Sequence, residues 1–149
     1  MKIIANNKKA NHDYLINEKF EAGIVLTGSE VKSLRVNTGS IKESYITDKE
    51  GELWLTNCYI KKYASSNESS DTNRDRKLLV SKKELHKILG ASKKEGMTII
   101  PIILYFNTKG LAKLTIGIAK GKKKQDKRHS IKDKEWSIKQ QRLVKNRLI

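Results

Sequence analysis

The sequence predicts a small, mainly β domain with a few short helices, followed by a basic C-terminal tail. Apolar and polar residues alternate in several segments of residues 1–118, which is the pattern of half-buried strands. Short turns separate these segments, whereas residues 119–149 carry twelve Lys or Arg against three acids. Five or six strands with two inserted helices fit a small closed antiparallel β-barrel, because closure removes the edges that a small open sheet exposes.

The first part of the chain predicts an arm and then a strand. Residues 1–13 show little periodicity and predict an arm or a short turn of helix. Tyr14–Leu26 predicts a strand, because apolar side chains alternate with other residues from Phe20 onward. Glu21 is therefore expected to face away from the core.

Two motifs predict where helices begin. In Thr27-Gly-Ser-Glu30 a threonine precedes a glutamate by three residues, the spacing of a capping box. The helix that follows is expected to end at Asn37–Gly39. Ser81-Lys-Lys-Glu84 has the same spacing, and Gly90 predicts the end of that second helix.

The other strands are predicted in two groups. Ser44–Asp48 and Leu53–Ile60 flank Lys49–Glu52, whose glycine suits a tight turn. Met97–Phe106 is dense in apolar residues and predicts a buried strand, and Leu111–Ile118 predicts another one beside it.

Two further segments qualify this arrangement. Pro101 cannot donate a hydrogen bond within a sheet, so we expect an edge or a bulge at that position. Ser65–Asn73 has no apolar side chain and predicts a mobile polar loop.

The charge of the chain points to a polyanionic partner. The 149 residues have a net charge of +16 and a pI near 9.9, of which residues 119–149 supply +9. Runs of charge are usually solvated surface, but here the preceding domain is basic as well. That distribution is typical of nucleic-acid binding, where cations displace the counterions of phosphates.

The sequence argues against a membrane protein or an enzyme. No apolar run approaches the length of a membrane span, and Trp136 is the only aromatic residue of the basic tail. His12, His86 and His129 are too far apart for a metal site, and the single Cys58 lies in a strand pattern typical of a buried thiol. We expect a cytoplasmic protein with no catalytic residues, no metal and no cofactor.

Outward-facing strand residues are the candidates for binding. Glu21 could accept hydrogen bonds from bases or ribose, although a solvated surface acid is an equal reading. Lys113 lies near the start of the last strand and could contact a phosphate. Aromatic residues make up only 6% of the chain, which favours recognition of structured RNA by shape and backbone over stacking of single strands.

Several stretches together resemble small protein B, the tmRNA-binding (SsrA-binding) protein family of bacteria. The resemblance lies in Asn7–Tyr14, Phe20–Arg35, Arg76–Leu79, Gly117–Lys123 and Asp126–Arg128. Their order and spacing match over nearly the whole chain. The resemblance implies a barrel of the oligonucleotide-binding (OB) type, and periodicity alone does not separate that barrel from other small barrels.

The family resemblance also implies roles for residues of the domain. It places contacts with the tRNA-like domain of tmRNA at Glu21, Leu79 and Lys113, with Asn7 and His12 in a contact arm. The protein would deliver tmRNA to stalled ribosomes for trans-translation, in which the nascent peptide is tagged and the ribosome is released. It would meet elongation factor Tu indirectly, through alanyl-tmRNA, and act as a monomer.

The same resemblance assigns the tail, residues 119–149, to the ribosome. There it would enter the decoding centre and the empty mRNA channel against small-subunit rRNA. We expect it to be disordered when free and helical on the ribosome. The tail residues that the resemblance selects are Lys120, Lys122, Lys123, Asp126, Lys127, Arg128 and Trp136.

Two other functions stay open at the level of the residues. One is a general or ribosome-associated RNA-binding barrel without specificity for tmRNA, and the other is an RNA-processing enzyme. Competition by tRNA or random RNA would favour the first, and turnover of a labelled RNA would favour the second.

Overall fold

The computed structural model describes residues 1–36, 39–63 and 72–121. These residues form one antiparallel sheet with three short helices. The strands are β1 Lys2–Asn6, β2 Tyr14–Ile24, β3 Tyr45–Lys49, β4 Glu52–Thr56, β5 Arg76–Leu79, β6 Met97–Phe106 and β7 Ala112–Gly121. The helices are α1 Ala10–Asp13, α2 Gly28–Val36 and α3 Lys82–Ser92. None of them is long and apolar enough to cross a bilayer.

The sheet is open, with strand order β1-β6-β7-β2-β5-β4-β3. The predicted closure into a barrel is therefore not confirmed, although β3 and β6 approach within 8 Å between Cα atoms. A strand has two edges, and those of β6 are taken by β7 and, from Ile103 to Phe106, by β1. The sequence did not predict β1, which it read as part of an arm.

The central pair, β2 and β7, decides which side chains face which way. β7 pairs without a break from Ala112 to Gly121, and the irregularities lie in its neighbours, at Asn17 of β2 and at Ile102 of β6. The latter irregularity directly follows Pro101, so the predicted bulge is confirmed. Even-numbered residues of β7 therefore face one side of the sheet and odd-numbered residues the other.

The main core lies on the even-numbered side of β7, here called the inner face. Helices α2 and α3 cover it, with Leu34 and Ile88 fully buried. Each buried side chain of this size contributes about 1.5–3 kcal/mol by leaving water. The buried apolar side chains of this core include Ala22, Ile24, Leu53, Leu55, Leu78, Leu104, Leu114, Ile116 and Ile118.

The opposite side of β7, here called the outer face, is covered at one end only. Ala10 of α1 packs there against Ile100, Ile102 and Ala119 in a second, smaller cluster. Gly117 leaves room beneath it, because a Cβ at that position would lie 2.9 Å from Ile102 Cδ1 and would displace that side chain. Within residues 1–36, 39–63 and 72–121, no helix lies over the other end of the outer face.

A buried ionic network joins α2 to the start of β5. Arg76 is fully buried, and its Nε donates to Glu30 Oε2 at 2.7 Å. Arg74 pairs with the other carboxylate oxygen of Glu30. Burial alone would raise the pKa of Glu30, but hydrogen bonds from Arg74, from the Thr27 N–H and from Arg76, together with the Arg76 charge, hold that pKa below its usual value. The network therefore keeps Glu30 ionised inside the protein.

The predicted elements are mostly present, with shifted ends. The capping box at Thr27 is confirmed, because its Oγ1 accepts from Glu30 N and Glu30 Oε1 accepts from Thr27 N. Ser81 accepts from Glu84 N at 3.2 Å. Gly90 does not end α3, which continues to Ser92. The predicted polar loop 65–73 and the end of α2 at 37–39 lie largely outside the described residues.

Candidate RNA-binding face

The uncovered end of the outer face carries the candidate site, and Glu21 lies at its centre. Its neighbour Ala22 is fully buried in the main core, so alternation turns the Glu21 side chain outward. That side chain is 57% exposed. The predicted orientation of Glu21 is therefore confirmed.

Lys113 and Tyr105 lie beside Glu21 on the next two strands. Lys113 is paired in register with Gly23 on one side and with Tyr105 on the other. Its Nζ is 3.9 Å from Glu21 Oε1 and its side chain is half-buried. At this distance the two charges attract each other weakly, so the carboxylate and the ammonium group are both available to bind a ligand.

Tyr105 orients Glu21 through a hydrogen bond. Its side chain is buried, and its hydroxyl donates to the Glu21 carboxylate. Burial raises the pKa of the Tyr105 phenol, the Glu21 hydrogen bond and charge raise it further, and a hydrogen bond with Thr115 acts in the opposite direction. The phenol is therefore a fixed donor that orients the carboxylate.

Leu79 adds an exposed apolar side chain to the same face. It is paired in register with Gly23, and its side chain is 53% exposed. A Cβ on Gly23 would lie 3.4 Å from Leu79 Cβ, so the glycine leaves room for the leucine to lie across the strand. An exposed leucine next to a carboxylate and a lysine can pack against a ribose or a base.

Two further lysines flank this group. Lys19 shares the outer side of β2 with Glu21, and it is exposed. Lys77 shares the outer side of β5 with Leu79 and pairs loosely with Glu52, at 4.0 Å. Cations at both margins of the face suit phosphates on either side of a central polar contact.

The structure places the predicted contact arm on the same side of the sheet. α1 packs on the outer side of β7 through Ala10, and His12 is exposed there, with Nδ1 2.9 Å from Asp13 Oδ1. Asn7 has a structural contact instead of a free amide, because its Nδ2 donates to Pro101 O at 3.0 Å. Asn7 thus fixes the bulge of β6.

The tail residues divide at the end of β7. Lys120 is exposed, lies within the strand and follows Ile116 and Ile118 on the inner side. The strand extends beyond Ile118, where the sequence placed the end of the domain, and Ala119 is fully buried. The other selected tail residues, Lys122, Lys123, Asp126, Lys127, Arg128 and Trp136, lie outside the described residues.

The groups on the outer face can hold a polar ligand. Burial raises the pKa of Cys58 to about 11, so this thiol stays protonated at neutral pH. In the described ranges no three His, Cys, Asp or Glu side chains gather where a metal ion could be held. Glu21, Lys113 and Tyr105 together offer an acceptor, a cation and an oriented hydrogen bond on an open surface.

The residues themselves had selected Glu21 and Lys113, and the family resemblance had added Leu79, but neither pointed to Tyr105. Tyr105 belongs to the face because β6 pairs with β7 in one register and has a bulge between Pro101 and Ile103. The alternation along β6 is hidden in a continuous apolar run, so the run marks burial but not which side chain meets Glu21.

Comparisons with known proteins find the same family over nearly the whole chain. The family model described as SmpB protein matches residues 4–146. The SsrA-binding protein of Wolbachia pipientis subsp. Culex pipiens (strain wPip) is 49% identical over 149 residues, covering 99% of this chain and all of the relative. The SsrA-binding protein of Jannaschia sp. (strain CCS1) is 52% identical over 145 residues, covering 97% of this chain and 92% of the relative.

A solved structure is similar as well. One chain of a structure described as "tmRNA-SmpB: a journey to the center of the bacterial ribosome" is 42% identical, with a TM-score of 0.66. The match covers 85% of this chain and 92% of that one.

Proposed function

The chain belongs to the SmpB family, and from that premise we propose that its outer face binds the tRNA-like domain of tmRNA and that the protein brings tmRNA to stalled ribosomes. Trans-translation then tags the nascent peptide and releases the ribosome. The observation that supports the binding site is the group formed by Glu21, Lys113 and Tyr105, with Leu79 beside it.

Each member of this group has a distinct part in holding RNA. The Glu21 carboxylate accepts hydrogen bonds from base amino groups or from a ribose 2′-hydroxyl, which are the donors that folded RNA displays. Lys113 binds a phosphate as a point charge. Leu79 packs against an apolar surface of the RNA, and Tyr105 holds the carboxylate in place.

The body and the tail have different tasks in this proposal. The body, residues 1–118, has the role of an OB-type barrel and binds tmRNA on the outer face of its sheet. The tail, residues 119–149, enters the decoding centre and the empty mRNA channel, where its lysines and arginines meet rRNA phosphates. Asn7 and His12 support the body contact from the α1 side.

The proposed function also implies where the protein acts, with which partners and without which cofactors. The protein works as a cytoplasmic monomer, without metal or cofactor, and elongation factor Tu reaches it through alanyl-tmRNA. It acts by binding and not by catalysis. Incubating a labelled tRNA-like domain with the pure protein should therefore leave the RNA intact, and turnover that is abolished by a carboxylate substitution would refute this part.

The binding site is tested by a gel shift with the isolated tRNA-like domain. Glu21→Gln keeps the shape of the side chain but removes its charge, and it should weaken binding by roughly tenfold, because hydrogen bonds to charged groups contribute about 1.5–3 kcal/mol. Glu18→Gln is the matched control, since Glu18 lies on the same strand and pairs with Lys87 on the inner side.

Specificity is tested in the same assay by competition. An equal length of random RNA, or tRNA, should displace the tRNA-like domain poorly from the wild-type protein. Equal displacement would favour a general RNA-binding barrel over a tmRNA-specific one.

The tail is tested by a chain that ends at Gly121, the last residue of β7. This chain should fold and bind the tRNA-like domain with modestly reduced affinity, yet fail to tag peptides on ribosomes stalled with an empty A site. Normal tagging by the shortened chain would refute the role of the tail.

A further inference from the structure

A tryptophan on β4 faces outward from the sheet. Trp54 lies between Leu53 and Leu55, which are both fully buried in the main core. Alternation along the strand therefore turns the indole to the outer side. Trp54 is half-buried and is paired in register with Lys77, which lies on the same side. Its ring belongs to neither core cluster, so packing of the core does not explain a tryptophan at this position.

The indole N–H of Trp54 has no hydrogen-bond partner in the described part of the chain. Its Nε1 is shielded from solvent, and no acceptor of those residues lies within hydrogen-bond distance. The indole carries no other polar atom. Buried tryptophans usually find an acceptor, and an unsatisfied buried donor costs free energy. A ligand that brings an acceptor would satisfy this donor once the side chains over it move aside.

Trp54 lines an open recess of about 810 Å³ on the outer side of the sheet. Two ion pairs border this recess, Lys49 with Asp75 and Lys77 with Glu52, and all four side chains are partly exposed. Exposed ion pairs are weak, so the lysines can exchange their carboxylates for phosphates. The carboxylates are then available to accept hydrogen bonds from a ligand.

The composition of the recess favours a nucleobase as its ligand. Two lysines and three acids line it, the third acid being Glu50, so it is not a basic patch for a bare phosphate. A base has a flat face that stacks on an indole, amino groups that donate to carboxylates, and carbonyl or ring-nitrogen acceptors. The cationic side chains of a basic peptide have no acceptor for the Trp54 N–H. A base therefore matches every group of the recess.

The recess is continuous with the face at Glu21. Lys77 is two residues from Leu79 on β5, and the exposed Val25, directly after β2, donates its N–H to Lys77 O at 3.0 Å. Trp54 is two strands away from Glu21 in the sheet order and about four residues further along. Strand spacing and rise put roughly 16 Å between the two positions, a distance that a few nucleotides of extended RNA can span.

We propose that the recess around Trp54 receives one unpaired nucleobase of the RNA whose neighbouring nucleotides are held at Glu21. The base stacks on the indole and accepts a hydrogen bond from Nε1, and Lys49 and Lys77 bind the phosphates on either side. This inference rests on the proposed function and adds a second contact to its site. The base comes from a loop, because bases inside a duplex have no free face.

The indole itself reports on the recess, since the chain has only two tryptophans, Trp54 and Trp136. In the full chain with Trp136→Phe, emission therefore comes from Trp54 alone. Titration with the tRNA-like domain should reduce that emission by roughly half, because a stacked base quenches an indole. Unchanged emission alongside a normal gel shift would refute the proposal.

Two other titrations of the same variant separate a stacked base from other causes of quenching. A fully paired RNA duplex of equal length carries the same phosphates but no free base, and it should leave the emission unchanged. Equal quenching by the duplex would show an effect of charge and refute the base. An oligo-arginine peptide that quenches more strongly than the RNA would assign the recess to a protein partner and would equally refute it.

Substitutions of Trp54 measure what the stack contributes. In the gel shift, Trp54→Leu should weaken binding of the tRNA-like domain roughly tenfold, whereas Trp54→Phe, which keeps an aromatic face, should lose clearly less. Wild-type affinity of Trp54→Leu, or equal losses in both variants at unchanged thermal midpoints, would refute stacking. If Trp54→Leu fails to fold, the fluorescence titration decides alone. Failure of the wild-type gel shift would instead refute the proposed function itself.

Discussion

Two carboxylates of this protein, Glu30 and Glu21, each lie beside a cation, but their surroundings differ. Glu30 is 5% exposed and is held by two arginines, one of them fully buried. Glu21 is 57% exposed and has one lysine at 3.9 Å and one phenol as neighbours. Burial with hydrogen bonds to both carboxylate oxygens makes Glu30 a part of the fold, whereas exposure with weak pairing leaves Glu21 accessible to a partner.

The largest effect is expected from breaking the buried group. Arg76→Ala leaves Glu30 Oε2 without the arginine that donates to it, and it removes the Nη1 donor of the Cys58 carbonyl, at 2.6 Å. Removing one partner of a buried pair costs about 3–5 kcal/mol. Urea unfolding should show this loss, and a loss below about 1 kcal/mol would show that water replaces the arginine freely.

The pH dependence of stability tests the role of Glu30 in the fold. The pKa of Glu30 is lower in the folded protein than in the unfolded chain, so its contribution is fully present above the unfolded value. That contribution is lost as pH falls through the lower, folded pKa. Unfolding measured from pH 6 downward should therefore show an acid limb that Glu30→Gln flattens.

A smaller effect is expected at the support of Glu21. Tyr105→Phe removes one hydrogen bond to the carboxylate and keeps the packing of the ring. It should reduce affinity for the tRNA-like domain by several-fold, in line with about 1 kcal/mol for a hydrogen bond. In the Glu21→Gln background the same change should have little further effect, because the phenol acts through the carboxylate. Additive losses would show that Tyr105 contacts the RNA itself.

The smallest effect on stability is expected from separating the exposed pair of Glu21 and Lys113. A double-mutant cycle with Glu21→Ala and Lys113→Ala should give a coupling of about 0–1 kcal/mol in urea unfolding. A larger coupling would mean that the pair holds the sheet together and would remove the contrast with Glu30.

The sequence predicted those parts of this arrangement that depend on local pattern. Alternation in β2 is enough to turn Glu21 outward, and the spacing of Thr27 and Glu30 is enough to predict a helix start. The pattern did not predict that Glu30 would also meet Arg76, because a basic residue at the start of a strand is expected to be exposed. That contact depends on two segments forty-six residues apart.

The differences between prediction and structure come from contacts between distant segments and, at Gly90, from an exception to a local rule. β1 was missed because five residues pair with a strand about a hundred positions later, and no local pattern encodes that contact. The closed barrel, which the structure does not confirm, was inferred from the number of strands, and the pairing of β1 with Ile103–Phe106 was not foreseen. Gly90 was read as a helix end because glycine usually has that role, whereas here the helix passes through it.

The most direct test of the outer face is an NMR titration of the isotope-labelled chain with the tRNA-like domain of tmRNA. The amide signals of Glu21, Leu79, Tyr105 and Lys113 should change first and most. Signals around Glu30 and along α3 should remain in place. Largest changes in α3 or in the β3–β4 hairpin, with the outer face unaffected, would contradict the assignment of the tmRNA site.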